Sequence, residues 1–75
     1  MNVKAEMAEI DHLLLSMASA SASERSRAFW ALATRIAYMP NLIPDDRRGT
    51  LGLADCKGRL IAEWHVPQSV LDRVN

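Results

Sequence analysis

The sequence predicts a small α+β domain: an antiparallel helical hairpin packed on a β-hairpin, with a short helix at the C-terminus. Three observations carry that expectation. Apolar residues recur at helical spacing through the first half of the chain. A short serine-rich connector interrupts them. Further on, Asp55-Cys56-Lys57-Gly58 has the residue types of a three-residue hairpin loop, with glycine at the left-handed position.

The first helix is expected over 3–18. Val3, Met7, Ile10, Leu14 and Met17 form an apolar stripe widened by Leu13, with Glu6, Glu9, Asp11 and Ser16 on the opposite side. The stripe faces a core, or else pairs with a second subunit; it is too short to specify a coiled coil. Residues 18–23, Ala-Ser-Ala-Ser-Ala-Ser, form the connector. Ser21 with Glu24 three residues later is a capping box that starts the second helix, expected over 22–39, with Ser23 as an alternative cap. That helix is expected to bury Phe29, Leu32, Ile36 and Met39, with Ala28, Ala33 and Ala37 narrowing the same face. Pro40 ends it.

Residues 40–49 read as a loop that carries two prolines and the run Asp45-Asp46-Arg47-Arg48, with Leu42 and Ile43 folded back onto the core. The hairpin follows over 50–66, pairing 51–55 with 59–63 and setting Leu53 opposite Ile61. In that register Leu51, Leu53 and Ile61 share one face. Gly52, Ala54, Leu60, Ala62 and Trp64 share the other, so neither face is polar. Two strands alone do not stand, so the sheet needs cover from its own chain or another molecule. Residues 59–65 also fit a helix through Leu60, Ile61 and Trp64; the turn signal favours the strand. A short helix closes the chain over 67–74.

Composition limits the functional classes. The 75 residues are 49% hydrophobic, and nine basic residues balance nine acidic ones. A single domain spanning 1–75 is expected, with no overall field to attract nucleic acid or an anionic membrane. Cys56 is the only cysteine, which excludes an internal disulfide and implies a reducing, cytoplasmic setting. Leu13-Leu14-Leu15 before the Ala/Ser run imitates a signal peptide. The acidic residues ahead of it and the interruption at Ser16 argue against one. No apolar run approaches the ~18–20 residues of a membrane span.

No cluster of residue types suggests an enzyme, a metal site or a cofactor. His12 and His65 each lack a partner at ligand spacing. Glu63 and His65 would share a side of the strand, a general-base geometry with no nucleophile to serve. Cys56 beside Lys57 lacks a resolving cysteine. The most functional-looking group is Arg27, Trp30, Thr34, Arg35 and Tyr38 on the second helix, joined by Trp64. Arginine with large aromatics is the composition of protein interface hot spots.

The expected function is that of a non-catalytic protein-binding module. Small inhibitors and accessory proteins of bacterial or phage origin, which sterically occupy a larger protein partner, are of this kind. Its expected anchor is Arg27, Trp30, Arg35, Tyr38 and Trp64, and a homodimer is compatible with it. The alternative is a small nucleic-acid-binding transcriptional regulator using helix 22–39.

Overall fold

A computed structural model describes residues 2–74. In chain order the elements are α1 (Val3–Met17), α2 (Ala22–Tyr38), β1 (Leu42–Asp45), β2 (Thr50–Ala54), β3 (Leu60–His65) and α3 (Gln68–Val74), an α+β arrangement. The chain divides into two compact units, Met1–Leu32 and Ala33–Asn75. Among the described residues no helix is long and apolar enough to cross a membrane.

In the first unit, Asn2 caps α1 by accepting the Ala5 N–H at 3.1 Å. The buried positions of α1 are Glu6, Ile10 and Leu13, so its inner face is rotated from the expected stripe. Val3, Met7, Leu14 and Met17 are only half-buried, and Glu6 lies on the inner face, not the outer one. A carboxylate tolerates such a position only when its oxygens are satisfied. Among the described residues no buried side-chain polar atom lacks a hydrogen-bond partner.

The connector is a compact polar node. Ser21 caps α2, its Oγ accepting the Glu24 N–H at 3.3 Å. Glu24 does not reach back to the Ser21 N–H as a simple capping box would. Ser19 stands between them: its Oγ accepts the Ser21 N–H at 3.1 Å and donates to Glu24 Oε2 at 2.8 Å. Arg25 Nη1 then donates to the carbonyls of Ser19 and Ala20 at 2.8 and 3.0 Å. Within this unit α2 buries Ala28 and Leu32 and leaves Phe29 half-buried.

The second unit begins in the last turns of α2, where Ala33 and Ile36 are buried and Ala37 is exposed; Met39, just past the helix end, is half-buried. The expected loop 40–49 contains a strand. β1 pairs antiparallel with β2, setting Leu42 opposite Leu53 and Pro44 opposite Leu51. Proline has no N–H to give a ladder, and β1 accommodates Pro44 because it is an edge strand. Strand alternation also separates the expected plug: Leu42 is buried and Ile43 is exposed. Asp45 Oδ1 accepts the Arg47 and Arg48 N–H groups at 3.1 and 3.2 Å, and Gly49, at φ 66°, completes the turn into β2.

The β2–β3 loop has the geometry its residues imply. Gly58 is left-handed at φ 80° and donates to the Asp55 carbonyl at 3.0 Å, while Asp55 N–H donates to Arg59 O at 2.8 Å. Residues 60–65 are a strand, which removes the helical reading. The register differs from expectation: Leu53 pairs with Ala62 and Ala54 with Leu60, with a bulge that makes Ile61 the extra residue. That insertion moves Ala62 and Trp64 to the side of Leu51 and Leu53, alongside Leu42 and Pro44.

This is the core side: Leu42, Leu51 and Leu53 are all buried. The other side carries small residues along the central strand (Thr50, Gly52, Ala54), flanked by Ile43, Leu60, Glu63 and His65. It is not uniformly apolar, because Arg48 Nη2 pairs with Glu63 Oε1 at 3.0 Å. α3 buries Val70 and Leu71. Gln68 Nε2 donates to Asp46 Oδ1 at 2.6 Å, tying α3 to the β1–β2 turn.

Candidate functional site

In the first unit the chain reverses at the serine connector, so His12, Leu13 and Ser16 of α1 face Glu24, Arg27, Ala28 and Ala31 of α2 across an open cleft of about 210 Å³. Leu13 and Ala28, both buried, supply an apolar floor; His12, Glu24 and Arg27, all exposed, supply a polar rim. The rim charges differ in commitment. Glu24 accepts the Ser19 hydroxyl. Arg27 lies one turn before Trp30, and Trp30 adjoins the cleft-lining Ala31.

Trp30 is 49% exposed, and its ring meets Phe29 edge-on, with centroids 5.2 Å apart and an interplanar angle of 84°. Edge-on packing is a favoured aromatic geometry, and it leaves much of the indole surface in water. Helical spacing thus sets Trp30 one turn from Arg27, which lines the cleft. In the second unit, Arg35 is half-buried, and Tyr38, one turn further on, is 82% exposed. Trp64 lies opposite Leu51 on the core side of the sheet and is half-buried. It is therefore partly a packing residue.

Other exposed apolar residues gave weaker signals in the sequence. Leu15 is 74% exposed, hidden from inspection by its two apolar neighbours. Leu60 and Ile61 are 56% and 40% exposed, the first on the outer side of the sheet and the second as the extra residue of the bulge. His12 and His65 are both exposed, and Cys56 is exposed at the hairpin tip. Among the described residues no group of three His, Cys, Asp or Glu side chains is placed to hold a metal ion.

The Asp55 carboxyl is clearly perturbed. Hydrogen bonding from the Arg59 backbone N–H holds the Asp55 carboxyl below its ordinary value of 3.8, and the Arg59 side chain and Lys57 N–H add to the effect. Oδ1 accepts both N–H groups at 2.9 Å, and Oδ2 accepts Arg59 Nε at 2.8 Å. This is a clamp on the turn.

No protein-family model matches this chain, and no curated protein or solved structure matches it significantly.

Proposed function

We propose that this chain is a non-catalytic protein-binding module, an inhibitor or accessory protein that acts in the cytoplasm by occupying a surface of a larger protein. The observation that supports this most is Trp30, 49% exposed, one helical turn from Arg27, which itself lines an open cleft. Each Å² of apolar surface left in water forgoes roughly 25 cal/mol, so a half-exposed indole holds back stabilisation that folding does not collect. Binding would recover it. Tryptophan, tyrosine and arginine are also the residues on which interface energy concentrates, and Tyr38 on the same helix is more exposed still.

The cleft, about 210 Å³, is smaller than the ~300 Å³ at which small-molecule sites begin. It suits one inserted side chain of a partner, with Arg27 at the rim favouring an acidic or carbonyl-bearing neighbour. The alternative, nucleic-acid binding through helix 22–39, has less support. The chain carries no net charge, and the Arg25 guanidinium is already engaged by the carbonyls of Ser19 and Ala20.

Quantitative affinity capture from the source cell tests the reading. The parent should recover one protein near stoichiometry, and Arg27→Ala with Trp30→Ala should lose it while keeping a native circular-dichroism spectrum. Recovery of nucleic acid alone, in an amount that falls steeply with added salt, would favour the regulator instead.

A further inference from the structure

We propose that the open edge of β3 pairs antiparallel with the β3 edge of a second copy of this chain, in the register centred on Trp64. This goes beyond the reading built on α2, because it uses a different surface and can fail while that reading stands.

β3 ends the sheet order β1-β2-β3. Val66 N–H donates to Gly49 O at 3.1 Å, and Trp64 and Ala62 follow in the same register toward β2. Alternation turns the backbone N–H and C=O of Glu63 and His65 to the outer edge. Such groups are a template for another strand. The opposite edge is defended, since β1 is only Leu42–Asp45 and Pro44 has no N–H to offer. β3 contains neither proline nor lysine, the residues that blunt edges.

The regular stretch of this edge is 62–66, bounded by the bulge at Ile61 and by Pro67. Only one two-fold register pairs that stretch with the whole of itself. Ala62 then lies opposite Val66, Glu63 opposite His65, and Trp64 opposite its own mate. In this register the outward groups of one copy meet the outward groups of the other.

Charge selects the same alignment. Glu63 and His65 are exposed and share the outer side of the sheet. In the Trp64-centred register each Glu63 carboxylate, which keeps Arg48 of its own chain on one oxygen, faces an imidazole of the second copy, twice by symmetry. A slip of the pairing to the adjacent compatible registers sets Glu63 against Glu63 or His65 against His65, like opposite like. An edge this short buries less than the ~1,200 Å² of stable interfaces, so the dimer is weak and reversible.

The test uses the full chain carrying Cys56→Ser, which removes disulfide-linked dimers. Sedimentation equilibrium from low micromolar to millimolar concentration should show a reversible dimer. Amide exchange at Glu63 and His65 should slow as concentration rises, while that at Trp64 changes little. In an Arg48→Ala background, which removes the internal Arg48–Glu63 ion pair, Glu63→His should weaken the dimer by setting His opposite His, and adding His65→Glu should restore it. His65→Pro, which removes an outward N–H without breaking the β2 ladder, should be monomeric with the parent's spectrum. A monomer throughout, or a dimer whose Glu63 and His65 amides exchange as fast as in the monomer, would overturn the proposal. Failure of the double swap to restore what the single swap lost would overturn the register even if His65→Pro does not fold.

Discussion

Leu60 Cδ1 lies 2.6 Å from the point that a β-carbon on Gly52 would occupy. The central strand therefore has a glycine where the flanking strand lays a leucine across it. Gly52 has no left-handed backbone to justify it; it makes room. Alanine in a strand interior otherwise gains about 0.5–1 kcal/mol over glycine by restricting the unfolded chain. In the parent, Gly52→Ala should lose that gain, because Leu60 must leave its rotamer and expose more surface. In a Leu60→Ala background the same change should stabilise by about 0.5–1 kcal/mol. Urea unfolding of the four chains measures the coupling, and equal effects in both backgrounds would refute the contact.

Ser19 makes a second expectation. Its hydroxyl bridges the Ser21 N–H and the Glu24 carboxylate, so Ser19→Ala removes two hydrogen bonds at an exposed helix start. The cost should be about 0.5–1 kcal/mol, similar to loss of a cap, and Ser21→Ala should cost about 1 kcal/mol. In a Glu24→Gln background the Ser19→Ala penalty should shrink, because the charge-assisted bond is already gone. Chemical denaturation of the double-mutant cycle reads this directly.

The β2–β3 turn has a defined pH response. The Asp55 carboxyl sits below its ordinary 3.8 in the folded chain, so the unfolded chain binds its proton more readily. Its contribution is complete above that ordinary value and is lost as pH falls through the lowered folded value. Thermal melts below pH 4 should therefore fall more steeply for the parent than for Asp55→Asn. Identical slopes for the two chains in that range would contradict the clamp.

Leu53 is fully buried on the central strand, with Leu42 and Ala62 as its cross-strand neighbours. Leu53→Ala should cost about 2–5 kcal/mol, comparable with the whole stability of a chain this small. Leu60→Ala, at a residue 56% exposed, should cost far less. Paired denaturation curves in which the two substitutions behave alike would show that the sheet faces are wrongly assigned.

What was legible in the sequence follows the strength of local physics. Both long helices and the Asp55–Gly58 turn were readable because periodicity, capping and a left-handed glycine each act within a few residues. β1 was not, because Pro40 and Pro44 mark a loop unless the strand is known to be an edge. The β2–β3 register departs from the expected pairing by one residue at the bulge. That exchanged the faces of Ala62 and Trp64, and with them the packing role of Trp64. Glu6 defeated polarity patterning: a carboxylate is assigned outward unless its hydrogen bonds are foreseen. Arg27 and Trp30 were legible as residue types at helical spacing. The cleft beside them depends on α1 and could not be read from α2 alone.

The central claim is that Arg27 and Trp30 of α2 meet another protein, and photo-crosslinking tests it most directly. A benzophenone-bearing aromatic residue placed at Ala31, exposed and lining the cleft, should trap one protease-sensitive, nuclease-resistant adduct in the source cell. That adduct should disappear when Arg27→Ala and Trp30→Ala are added to a chain that still folds. No adduct, an adduct only with the chain itself, or one destroyed by nuclease would contradict the claim.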